Sequence, residues 1–131
     1  MSKNVILFTL LAVIPYLPSC QQFQRDRDIE VVSITSEIDA NDPGREMCKT
    51  STLTKGNVET YFSVATEVDG HEFHHEAMIL PCKYQGSIRI HGENLQWQIY
   101  AGGAGYLYNK ASVNKRYLCK VKCCDRIPGL C

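Results

Sequence analysis

Residues 71–76, HEFHHE, hold three of the chain's four histidines, and the first five satisfy the pattern H-E-x-x-H. On a helix that spacing sets two imidazoles on one face, where they can bind zinc while the intervening glutamate serves as a general base. The chemistry depends on the backbone beneath it. Four residues rise about 6 Å along a helix, but span about 13 Å along a strand. An ion needs its ligands near 2 Å, so the extended form separates His71 from His75 beyond any shared metal.

The flanking residues predict the extended form. Residues 58–68 (VETYFSVATEV) are rich in β-branched and aromatic side chains. Asp69-Gly70 follows, and D-G between two such runs is a strong hairpin signal. Only ten residues separate Gly70 from Pro81. The histidine segment is therefore expected to begin a returning strand through Leu80, with His71, Phe73 and His75 on one face and Glu72, His74 and Glu76 on the other. On this reading no metal, no cofactor and no catalytic residue is expected. G-x-S-x-G and a phosphate-binding glycine loop are also absent from the sequence.

The remaining pattern is also one of short strands. Residues 29–38 (IEVVSITSEI) predict a first strand, ended by the turn-forming residues 39–44, and a second is expected over 47–53. Residues 86–91 alternate. After a turn at 92–94, Leu95, Trp97 and Ile99 face one way while Gln96, Gln98 and Tyr100 face the other, which makes Trp97 the candidate centre of the core. Residues 101–105 (AGGAG) predict a break, followed by strands at 106–108 and 116–124, and no amphipathic helix is expected. The predicted class is all-β: a single small antiparallel β-sandwich over residues 29–131, with a small barrel as the alternative.

Upstream, Lys3 precedes an apolar run over 5–17 that is too short to span a bilayer and fits a secretory leader over residues 1–19. Leu17-Pro18-Ser19-Cys20 resembles a lipobox, which makes Cys20 the expected lipidation site and residues 20–28 a polar tether. Cysteine parity agrees: of seven cysteines, assigning Cys20 to lipid leaves Cys48, Cys82, Cys119, Cys123, Cys124 and Cys131 as three disulfides in an oxidising compartment. One of Cys123 and Cys124 is expected to reach Cys131, and the other, with Cys119, to staple the tail to Cys48 and Cys82. Fifteen connectivities remain open.

Fourteen basic and fourteen acidic residues balance, which argues against nucleic acid as a partner and against a polybasic membrane-binding surface. The charges are nevertheless segregated. Glu59, Glu67, Asp69, Glu72 and Glu76 fall in a stretch without Lys or Arg, and Lys110, Lys115, Arg116, Lys120, Lys122 and Arg126 crowd the tail. Either the two segments complement each other across the fold, or Glu67, Asp69, Glu72 and Glu76 form a docking face.

The lipobox at Cys20, Tyr61-Phe-Ser-Val64, Leu80-Pro-Cys82, residues 90–92 leading to Trp97, and Gly102-Gly103 before Gly105-Tyr106 together resemble the type VI secretion immunity periplasmic lipoprotein family. The resemblance implies a lipid-anchored protein on the periplasmic face of the outer membrane. It would bind a protein effector or toxin, such as a phospholipase, and neutralise it by occlusion, touching the membrane through the anchor alone. The other expectations are a lysozyme-inhibitor lipoprotein and a structural or assembly lipoprotein of the envelope.

Overall fold

A computed structural model describes residues 28–49 and 51–131. The leader, Cys20 and most of the tether lie outside the described residues. The rest is the disulfide-stapled antiparallel β class that the alternation predicts. Seven strands form one sheet: β1 (Ile29–Val31), β2 (Thr35–Ile38), β3 (Thr66–Val68), β4 (Cys82–Ile90), β5 (Glu93–Tyr100), β6 (Ala104–Tyr108) and β7 (Asn114–Leu118). Their order is β1-β4-β5-β6-β7-β3, with β2 also on β4, and the sheet stays open between β1/β2 and β3, so no barrel forms.

The expected first strand divides in two. β1 pairs with one end of β4, Val31 opposite Ile88, and β2 with the other, Ile38 opposite Cys82. Between them the amides of Val32 and Ser33 both donate to the carbonyl of Ser87, at 2.9 and 3.2 Å. Two donors on one acceptor mark a bulge, which bends the strand and restarts its pairing. β4 and β5 join at His91 and Gly92, with φ of 50° and 79°. Two successive left-handed residues match the twist of the flanking strands.

The inner face carries the core. Leu95, Trp97 and Ile99 of β5 point inward with Tyr84 and Ile88 of β4, and Trp97 stands opposite Leu107 of β6. Trp97 is fully buried, and its indole N–H donates to the carbonyl of Ser87 at 3.3 Å. The alternation in 95–100 is as expected.

Four short helices replace strands that local composition predicts. These are α1 (Arg45–Cys48), α2 (Lys55–Val64), α3 (Gly70–Glu76) and α4 (Val121–Arg126). α1 occupies part of 47–53, α2 most of 58–68, and α4 the end of 116–124. For α2 the reason is a capping box: the Thr54 hydroxyl accepts from the Asn57 amide at 3.1 Å, and the Asn57 side chain accepts from the Thr54 amide at 3.1 Å. With its first turn satisfied, the segment buries Val58 and Tyr61, three residues apart, on one helical face. Tertiary burial outweighs the β-branched composition. α2 crosses the inner face as the layer opposite the sheet, from β1, where the Val31 amide donates to Glu59 at 3.4 Å, to Tyr117 of β7, whose ring lies 5.5 Å from that of Phe62.

All six expected cysteines are paired, with one correction to the pairing. Cys124 bonds to Cys131, as one of the adjacent pair was expected to. The tail, however, is not stapled to Cys48 and Cys82. Those two bond to each other, and Cys119 bonds to Cys123. The physical reason is α4: Cys119 and Cys123 are four positions apart around its first turn, and their Cα atoms stand 5.1 Å apart.

Candidate functional site

The histidine segment requires the largest correction. Asp69-Gly70 is not a hairpin turn. Asp69 is the N-cap of α3, and its carboxylate accepts from the Glu72 amide at 2.8 Å. Aspartate is among the strongest N-caps, so the same two letters that signal a turn start a helix here. Phe73 decides the matter. As the helix turns, it drops Phe73 onto the outer face of the sheet, where it is buried with Val68, Ala104 and Leu118 and meets Tyr106 at a ring separation of 5.0 Å. A strand over 71–76 would leave that patch uncovered.

The helical backbone overturns the distance argument against a shared ion. His71 and His75 stand on one exposed face of α3 with ring centroids 4.4 Å apart, and the His74 ring is 5.5 Å from that of His75. Glu72, the general base of the H-E-x-x-H reading, is engaged elsewhere: the Lys120 ammonium lies 2.7 Å from its carboxylate and 3.7 Å from that of Glu76. The hydrogen bond to Glu72 raises the Lys120 pKa above its ordinary value. Among the described residues, the three-ligand cluster is formed by the sulfurs of Cys119, Cys124 and Cys131, and all three are in disulfides.

The four acids expected as a docking face each have a partner within the chain and keep much of their exposure. Glu67 pairs with Lys115 at 3.5 Å, Asp69 caps α3, and Glu72 and Glu76 share Lys120. The segregated charges complement each other across the fold, acidic α3 against the basic tail.

The outer face of the sheet gathers a different set of side chains. In register across four strands, Gln85 stands opposite Gln98, Gln98 opposite Tyr106 and Tyr106 opposite Arg116. The neighbouring rows place Lys83 opposite Tyr100, and Gln96 opposite Tyr108, itself opposite Asn114. Tyr100 and Tyr106 meet edge to face at 6.3 Å, and the Gln98 amide donates to the Tyr108 hydroxyl at 3.3 Å. Together with Asn109 and Val113 they line an open hollow of about 540 Å³. A second hollow adjoins it under α3, where Phe73, His74, Ile79 and Arg116 surround the far side of Tyr106.

The electrostatics of this face are mild. Burial raises the Tyr106 pKa, with Tyr100 adding to it, so the phenol stays a neutral donor. Lys83, 2.9 Å from Glu37, has its pKa raised by that hydrogen bond. The arrangement offers three half-buried phenols on rigid strands, ringed by amides, with a cation at either end. It suits contact with a surface rather than enclosure of a small molecule. Gln96, Gln98 and Tyr100 are recognisable as outward-facing from their alternation. Their union with Tyr106, Tyr108 and Arg116 depends on strand order. No family model, curated protein or solved structure matches the chain.

Proposed function

We propose that this chain is an exported recognition module that binds a protein effector and neutralises it by occlusion, as its resemblance to the type VI secretion immunity lipoproteins implies. Lipid on Cys20 would hold it at the periplasmic face of the outer membrane. The observation that carries the reading is the outer-face cluster of Tyr100, Tyr106 and Tyr108 with Gln98 and Asn114. Tyrosine gives large contact area for little conformational entropy, and surrounding amides satisfy polar groups on a partner. Three disulfides and strand pairing keep the surface preorganised, which lowers the ordering cost of association.

The outer-face cluster replaces the acidic residues as the favoured contact because Glu67, Glu72 and Glu76 already have basic partners within the chain. The lysozyme-inhibitor alternative drew on the same acids, so it weakens with them.

The test is binding of the soluble Cys20→Ser chain to secreted effectors, beginning with the product of the adjacent gene, by calorimetry and by rescue of effector-poisoned cells. Tyr100→Ala with Tyr108→Ala should abolish rescue and weaken binding by about a hundredfold, the loss of about 3 kcal/mol expected when two aromatic anchors go. Neutralising Glu67, Glu72 and Glu76 should leave binding intact. The reverse pattern, or inhibition of lysozyme instead of an effector, would displace this reading.

A further inference from the structure

We propose that His71 and His75 form a clamp for a first-row transition dication, Zn²⁺ or Cu²⁺, on the solvent side of α3. The two residues are four apart on a helix, so their side chains project from the same side within one turn. Their rings stand 4.4 Å apart at 54°. Two nitrogens bound to one tetrahedral ion at 2.0–2.1 Å are about 3.3 Å apart. Rings already this close need only side-chain rotation to turn one nitrogen each toward a common ion. Neutral imidazole suits zinc and copper, whereas magnesium and calcium prefer oxygen.

The helix is held so that this face stays outward. Phe73 fixes it to the sheet through Tyr106, Asp69 caps its first turn, and Lys120 ties Glu72 and Glu76 to the tail. A helix of seven residues is marginal alone. Here the tertiary contacts supply the order, and the ion meets a preformed pair.

With two protein ligands, the clamp leaves coordination positions for water, which separates it from a closed structural site. The glutamate between the two histidines, Glu72, turns instead to Lys120. The consequence is ion uptake and stiffening of α3. An ion bridging His71 and His75 staples one helical turn and binds the preformed pair more tightly than the same histidines in the unfolded chain, so stability rises with its concentration.

The metal-free Cys20→Ser chain with its three disulfides intact, titrated with ZnCl₂ and separately with CuSO₄, should show saturable uptake by calorimetry and a rising Tm. Copper should bind more tightly than zinc, and MgCl₂ should produce neither effect. His71→Ala and His75→Ala should each weaken uptake by about tenfold or more, since even loss of a ligand's supporting contact costs that much, and should remove the rise in Tm. His91→Ala should behave as wild type. Far-ultraviolet circular dichroism separates loss of a ligand from loss of α3, and His71→Gln, which keeps helical propensity, should match His71→Ala. Undiminished uptake in the His71 and His75 variants, or no saturable uptake by the wild-type chain, overturns the clamp.

Discussion

The hydroxyl of Tyr61 on α2 reaches the carbonyl of Gly103 at 2.9 Å, with the carbonyl of Tyr117 at 3.3 Å. Its ring lies against Gly105, where any Cβ would collide with it. One fully buried phenol thus joins the helical layer to β6 and β7. Tyr61→Phe keeps the packing and removes the donor, while the Gly103 carbonyl keeps the Cys119 amide at 2.9 Å, so the variant should cost only the net worth of one hydrogen bond, about 0.5–1.5 kcal/mol. Gly105→Ala should cost more, about 1–3 kcal/mol, by overpacking. Urea unfolding midpoints of the two variants check both values.

The same residue predicts how the fold responds to alkali. Burial raises the Tyr61 pKa far above its ordinary 10.0, and burial with the Glu67 charge pushes Tyr117 up to about 12. Above pH 10 the unfolded chain loses these protons while the folded chain keeps them, so the unfolded state binds fewer protons and stability falls as pH rises. The stabilisation is whole below pH 10. From there Tyr61 alone should remove about 1.4 kcal/mol per pH unit. Urea titrations at pH 8 to 11 should show this decline, and Tyr61→Phe should flatten it.

Asp69 distinguishes capping from docking. As the N-cap of α3 it needs an acceptor oxygen and not a charge. Asp69→Asn should leave stability near wild type, and Asp69→Ala should cost about 1 kcal/mol. Thermal unfolding measures the difference. Equal losses in both variants would indicate that the charge, and not the cap, is what the position requires.

The disulfides should rank by the length of chain they close. Cys48–Cys82 spans 34 positions and Cys124–Cys131 spans 7. On the loop-entropy account, replacing the first pair by alanine should destabilise by about 1.4 kcal/mol more than replacing the second. Denaturant midpoints of the two double variants give the comparison directly.

What local chemistry could dictate was legible along the chain. Strict alternation through Leu95, Trp97 and Ile99 leaves a strand one way to bury its apolar side chains, and Trp97 does occupy the centre of the core. Cysteine parity likewise required three bridges, which are present. The exchange partners of those bridges, the helical state of α2 and α3, and the assembly of the tyrosine face were settled by contacts between residues far apart in sequence. Residues 58–64 carry strand-like side chains, but a helix buries Val58 and Tyr61 against the sheet. Asp69-Gly70 suits a turn and a cap equally until Phe73 finds its place beside Tyr106. Propensity differences of under about 1 kcal/mol per residue yield to burial of a single aromatic ring worth about 1.5–3 kcal/mol, so the tertiary structure decided wherever those two disagreed.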